Sequence, residues 1–268
     1  MLINKYEIIS SICNGEFGQV FKVYYNNKYY ALKCGAKEVI KYEIQIYKHL
    51  GSLSNISSIY DVFLYKDCMC MVMDLYSMTL VDYKLQNYYN EHYNERCFTI
   101  IKELLIIIKS IHANNIIHRD LKPTNICMDA NNKIYLIDFG IAKIYKHSNV
   151  HVKETQIKSL IGSVNYSSLN VLRLIEPSRR DDIETIIYIL LYLLLSNETY
   201  KLYDNLNVLE KKDIDIVIKF LQDKNNNNNK NMDFLIIEKL FKYIRRLKYD
   251  QTPNYEYIML LINESYLH

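Results

Sequence analysis

Apolar and polar residues alternate from Tyr6 to Tyr30, with β-branched and aromatic types and an Asn-Asn pair at 26 and 27. A period of two with such a pair predicts strands joined by a hairpin. The period then changes: Val39, Ile40, Ile44, Ile46, Tyr47 and Leu50 have near-helical spacing, so Lys37 to Leu50 reads as one helix ended by Gly51. Strand pattern returns at Ile59 to Tyr65 and at Cys68 to Met73. Beyond Asp74 the pattern is helical, over Arg96 to His112, Arg180 to Leu195, Ile214 to Leu221 and Phe234 to Leu247. The expected class is α+β, with a small antiparallel β-sheet lobe carrying one main helix and a larger, mainly helical lobe. A cleft between lobes is a favoured place for a ligand.

Half of the 268 residues are hydrophobic, enough for a large core. The formal charge of +3 comes from 33 basic and 30 acidic residues, so no long-range field singles out nucleic acid or membrane as partner. The six cysteines, Cys13, Cys34, Cys68, Cys70, Cys97 and Cys127, form no CxxC pair, which argues against zinc and against a secreted disulfide framework and favours reduced thiols. The apolar run Ile186 to Leu195 is about half of what a bilayer span needs and reads as a helix buried on all sides. MLINKYEIIS lacks the flank and apolar core of a signal peptide. An intracellular protein of cytoplasm or nucleus, acting as a monomer, is expected. KNNNNNKN at Lys224 to Asn231 reads as a solvated loop.

Three stretches carry chemistry. ICNGEFGQV, from Ile12 to Val20, resembles a phosphate-cradling glycine loop with Cys13 in place of its first glycine. If position 13 needs positive φ, the side chain costs about 1–2 kcal/mol there, which weakens a site without abolishing it. IHRDLKPTN, from Ile117 to Asn125, and YLIDFGIAK, from Tyr135 to Lys143, interrupt otherwise aliphatic strands with clusters of polar groups. Each alone is ordinary turn chemistry. Together, in this order and with Asn131 to Lys133 between them, they are improbable by chance.

With Tyr-Ala-Leu-Lys ending at Lys33, these motifs resemble those of eukaryotic protein kinases over essentially the whole chain. The resemblance implies a lobe at 1–73, a hinge at 74–76 and a second lobe at 77–268 that includes the 224–231 loop. It implies ATP and Mg²⁺, with Asn125 and Asp138 holding metal, Asp120 as the base and Lys122 at the γ-phosphate. Lys33 would bind the α- and β-phosphates, oriented by Glu43 in preference to Glu38. Gly15 and Gly18 would approach the phosphates. Asp74, Leu75 and Tyr76 would offer hinge groups to adenine, Met73 would be gatekeeper, and Ile12, Val20, Ala31 and Cys127 would form apolar walls. Lys122, two places after Asp120, is similar to the serine/threonine class.

GSVNYSSLN at Gly162 to Asn170, EPSRRDDIET at Glu176 to Thr185 and YIRRLKYDQTPNYEY at Tyr243 to Tyr257 resemble the casein kinase 1 family. Ser168, Leu169 and Asn170 stand where most kinases carry Ala-Pro-Glu. Thr155, Ser159 and Ser163 read as ordinary loop residues. Asn165 departs from the family's arginine and lacks the charged fork that grips phosphate, so selection for pre-phosphorylated substrates should be weak. Protein substrates with Ser or Thr acceptors are expected. The rivals are a catalytically weak pseudokinase acting as a binding scaffold, and a small-molecule kinase of related fold.

Overall fold

The computed structural model describes residues 1–15, 18–51, 53–207, 210–218 and 234–264. The Asn-rich tract at 224–231 and the end of the helix expected from Ile214 lie outside the described residues. The chain divides into two compact units, residues 1–80 with 125–142, and residues 81–124 with 143–268.

In the first unit, β1 (Leu2–Ile3), β2 (Tyr6–Gly15), β3 (Gly18–Tyr25), β4 (Lys28–Ala36), β5 (Ile59–Tyr65) and β6 (Cys68–Met73) form one antiparallel sheet in the order β1-β2-β3-β4-β6-β5. The β3–β4 turn has φ of 48° at Asn26 and 60° at Asn27. Asparagine tolerates this left-handed backbone, which suits the twist of a tight hairpin. One sheet face buries Ile3, Tyr6, Val23, Leu32, Cys70 and Val72, with the Tyr6 ring stacked on Phe63 at 5.8 Å. The helix α1 (Lys37–Leu50) buries Ile40, Ile44, Ile46, Tyr47 and Leu50 together with Glu43. Strand Ile126–Met128 pairs with both Ile134–Leu136 and Met78–Thr79.

Cys34 and Cys70 oppose each other in the β4–β6 ladder with Cα atoms 4.2 Å apart, so that their sulfurs lie against each other across the two strands. Register decides this juxtaposition, and register is invisible in cysteine spacing. Cys13, Cys68, Cys97 and Cys127 lie outside this pair.

The second unit contains α2 (Leu80–Asn87), whose first residue falls in the other unit, α3 (Tyr93–Ala113), α4 (Leu169–Leu172), α5 (Arg179–Leu194), α6 (Asn197–Asp204), α7 (Phe234–Arg245) and α8 (Tyr255–Glu264). α5 is buried on every face and packs against α3 and α7, as its unbroken apolar run predicts. Its entry is set by Asp181, whose Oδ2 accepts the Ser178 backbone N–H at 2.7 Å. Among the described residues no helix is long and apolar enough to cross a membrane.

Lys84 of α2 is 0% exposed. Its ammonium donates to the Tyr192 carbonyl at 2.5 Å and lies 4.1 Å from the Tyr192 ring centroid, 5.2 Å from Tyr200 and 5.8 Å from Tyr88. Among the described residues no carboxylate pairs with it, and burial pulls its pKa down to about 8 from 10.5. The unfolded chain therefore holds more protons between those values, so this residue makes stability rise with pH through that window. Lys84→Met is expected to raise the melting temperature at pH 7 by several degrees and to remove that part of the rise, measured by thermal unfolding from pH 7 to 10.

Candidate active site

Lys33 emerges from β4 opposite Val20 on one side and Met71 on the other. Its ammonium lies 2.8 Å from Glu43 Oε2 and 2.8 Å from Asp138 Oδ1. Burial works against this charge, but the Glu43 and Asp138 carboxylates outweigh it and hold Lys33 above the ordinary lysine value. Glu43 is 0% exposed, and burial pushes its carboxyl upward against the pull of Lys33. Its second oxygen accepts the Phe139 backbone N–H at 3.2 Å, and the Phe139 ring meets Tyr47 edge-on at 5.0 Å. Asp138, next in the chain, holds φ at 65°, a conformation that costs a non-glycine residue free energy and that its surroundings must enforce. Asn125 is buried, and its carbonyl accepts from Ile137 N–H at 3.0 Å. The motif residues of this unit are thus tied to Lys33 and α1.

The loop residues before Lys33 behave differently from the sequence expectation. Cys13 is extended strand paired with Val20 and has no left-handed backbone, so the cost anticipated for a missing glycine does not arise. Gly18 carries the constraint, because φ is 137° and a Cβ would sit 2.3 Å from the Cys34 carbonyl. Gly15 faces Gly18 across the hairpin end; Glu16 and Phe17 are outside the described residues. Ile12 is exposed and Val20 half-buried, while Ala31 is buried and directly opposes Met73 at the end of β6. The Asp74 carboxylate accepts from Tyr60 Oη at 2.6 Å and Ser58 N–H at 2.9 Å. Tyr76 stacks on Tyr135 at 4.6 Å, and Cys127 is buried in its short strand.

In the second unit Asp120 is the centre of a compact polar group. Its Oδ1 accepts from Ser163 N–H at 2.9 Å and from Ser163 Oγ at 2.8 Å. Its Oδ2 lies 2.7 Å from Lys122 Nζ, which also reaches Ser163 Oγ at 3.1 Å. Sequence reasoning treated Ser163 as an ordinary loop residue; in the fold it orients Asp120 and Lys122. The signal available was Gly162, whose φ is 78° and whose added Cβ would lie 2.4 Å from the Arg119 carbonyl. The backbone of this turn is held from beneath by Asp182, which accepts from His118 N–H at 2.8 Å and Arg119 N–H at 3.0 Å. Ser168 and Asn170 both bond to Asp181 Oδ1, at 2.6 and 3.0 Å. Glu176 Oε1 takes Lys143 Nζ at 2.9 Å and Arg119 Nη1 at 3.5 Å.

A model of the protein kinase domain matches residues 6–257. The chain is also similar, at 31% identity, to a probable casein kinase I homolog of Encephalitozoon cuniculi, with 98% of this chain and 86% of that protein covered.

The contacts around Gly162 separate two costs. Gly162→Ala is expected to lose at least about 2 kcal/mol in urea unfolding, because conformation and overlap both oppose the methyl group. Gly51→Ala, at φ 62° and ψ −135° but with nothing within 4 Å of the new Cβ, should lose about 1–3 kcal/mol from backbone conformation alone.

Proposed function

The chain belongs to the protein kinase family, in its casein kinase 1-like branch, and from that premise we propose that it is an active serine/threonine kinase transferring the γ-phosphoryl group of Mg-ATP to protein hydroxyls. The observation that carries this reading is Lys33 held between the Glu43 and Asp138 carboxylates, since phosphoryl transfer asks chiefly for positioned charge. The feature that pointed to a scaffold without activity, Cys13, loses its weight because it lies in unstrained strand.

Asp138 and Asn125 offer a carboxylate and an amide oxygen, hard donors that suit Mg²⁺. Among the described residues no group of three or more His, Cys, Asp and Glu could hold an ion alone, so phosphate oxygens would complete the ligand set. Magnesium bound with the nucleotide would supply compensation for charge developing on the phosphates. Lys33 would contact the α- and β-phosphates, with Glu43 fixing its direction. Gly18 keeps side-chain bulk off the strand that leads to Lys33. Asp120 would take the proton of the acceptor Ser or Thr hydroxyl as its oxygen bonds to the γ-phosphorus and the bond to ADP breaks. Lys122, restrained by Asp120 and Ser163, would stay with the transferred group.

Transfer of labelled phosphate to a Ser/Thr peptide mixture tests this reading. Asp138→Asn and Asp120→Asn should each lower kcat on the order of 10²–10³-fold. A silent wild-type protein that still binds Mg-ATP in thermal shift would support a scaffold instead. Asn165 favours weak selection for primed substrates: peptides with and without an upstream phosphoserine should differ less than about threefold in kcat/KM, a gap of under 1 kcal/mol.

A further inference from the structure

Cys34 and Cys70 stand opposite each other within the sheet, where β4 and β6 are both interior strands. Their Cα atoms are 4.2 Å apart although 36 residues separate them in sequence. That spacing is of the narrow kind in an antiparallel ladder, where opposed side chains leave the same face close together. A disulfide usually spans Cα distances of about 4.4–6.8 Å, so a bond between these sulfurs asks the strands to part by tenths of an ångström and needs no approach. The other strand cysteines face different residues: Cys13 opposes Val20, Cys68 opposes Ala36 and Tyr65, and Cys127 opposes Tyr135 and Thr79. The two sulfurs of the pair differ in access. Cys70 is 0% exposed among Ile3, Tyr6, Val23, Leu32 and Val72, whereas Cys34 is half-buried against that cluster. A small oxidant in solution therefore meets Cys34 first. The place in the fold matters as well, because Cys34 follows Lys33 directly and its carbonyl is the atom that a Cβ at Gly18 would strike.

We propose that Cys34 and Cys70 form a reversible modification site for hydroperoxides, with Cys34 as the reacting thiol and Cys70 as the resolving one, and that their cross-link reinforces the strand carrying Lys33. The Cys34 sulfur attacks the peroxide: an S–O bond forms, the O–O bond breaks, and a sulfenic acid and one water result. The Cys70 sulfur then displaces the hydroxyl group, which leaves with the Cys70 proton as a second water while the S–S bond forms. The two thiols together give up two electrons and two protons, and one hydrogen peroxide is reduced to two waters. A dithiol reverses the modification by exchange. An isolated sulfenic acid is carried on by further peroxide to sulfinic acid, which is not recovered, whereas a thiol already in contact diverts it. Apolar surroundings disfavour the thiolate at both sulfurs, so the site answers to sustained peroxide and not to a brief pulse. The strands are already paired in this register, so the bond constrains the unfolded chain and leaves Lys33 where it is.

The test takes the full chain, reduced with dithiothreitol and desalted, through incubation with hydrogen peroxide, alkylation in denaturant and digestion without reductant for mass spectrometry. The peptide linking Cys34 to Cys70 should become the main product of both residues, and dithiothreitol should return both thiols. The cross-linked protein should melt about 5 °C or more above the reduced one. In Cys70→Ala, peroxide should instead leave Cys34 as sulfinic acid, with no rise in melting temperature. Cys34→Ala, which serves if the first variant does not fold, should leave the buried Cys70 unoxidised under conditions that consume the exposed Cys68. Four results would each overturn the proposal: wild-type Cys34 recovered as sulfinic acid, its linkage to a cysteine other than Cys70, its survival as a thiol after Cys68 is consumed, or a cross-linked protein that melts no higher than the reduced one.

Discussion

Asp182 is the constraint on which the helical unit depends. Its carboxylate is fully buried in the first turn of α5, where the helix N-terminus favours negative charge. Burial works against that charge, but the hydrogen bond from His112 and the charges and backbone amides around it hold Asp182 below the usual carboxylate range. One oxygen receives both the His112 ring at 2.9 Å and the His118 N–H, and the other receives Arg119 N–H. The end of α3 and the turn that follows it are thereby tied to a helix more than sixty residues further along the chain. Arg119 sits at φ 69°, a conformation that a free turn would abandon, and Asp120 follows it directly. An unpaired carboxylate at this depth would be costly, so bonding and burial stand or fall together.

The sheet-bearing unit solves a similar problem with a cation. Lys33 is buried because β4 is an interior strand, and its charge is tolerable because α1 brings Glu43 to one side while the turn after Leu136 brings Asp138 to the other. Glu43 serves twice, through Lys33 and through the Phe139 amide. The chemistry-bearing carboxylate at Asp138 is thus positioned by contacts that also order the core. That economy explains why a residue with left-handed backbone is held there: the same contacts over-determine it.

Tyrosine does much of the remaining polar work. The chain has 26 tyrosines and no tryptophan. Tyrosine hydroxyls reach carbonyls that helix ends and turns leave over: the buried Tyr93 to Leu193 and Tyr145 to His112, and the more exposed Tyr42 to Ala142. Rings of the same type surround Lys84, and the Tyr188 ring lies against Lys212. A ring brings apolar area and a polar tip in one side chain, so a core built from it can absorb stray polar groups without added charge.

The sequence by itself determined what is local and periodic. The α1 bounds, the strands β5 and β6, the Asn-Asn hairpin and the buried run of α5 follow from residue spacing within one element, where side-chain direction is dictated by backbone geometry. Lys33, Glu43, Asp120, Asn125 and Asp138 were legible as candidates because contiguous motifs contain or frame them. Tertiary structure alone decided which groups touch. Ser163 gained its part at Asp120 from a turn more than forty residues later in the chain; Gly18 and Gly162 became obligatory because of carbonyls of Cys34 and Arg119. Cys34 met Cys70 through register, and Cys13 escaped strain by lying in a ladder. Lys84 is enclosed by rings from α5, α6 and the turn after α2. These contacts depend on packing across long sequence separations, and a one-dimensional pattern carries no distance between its distant parts.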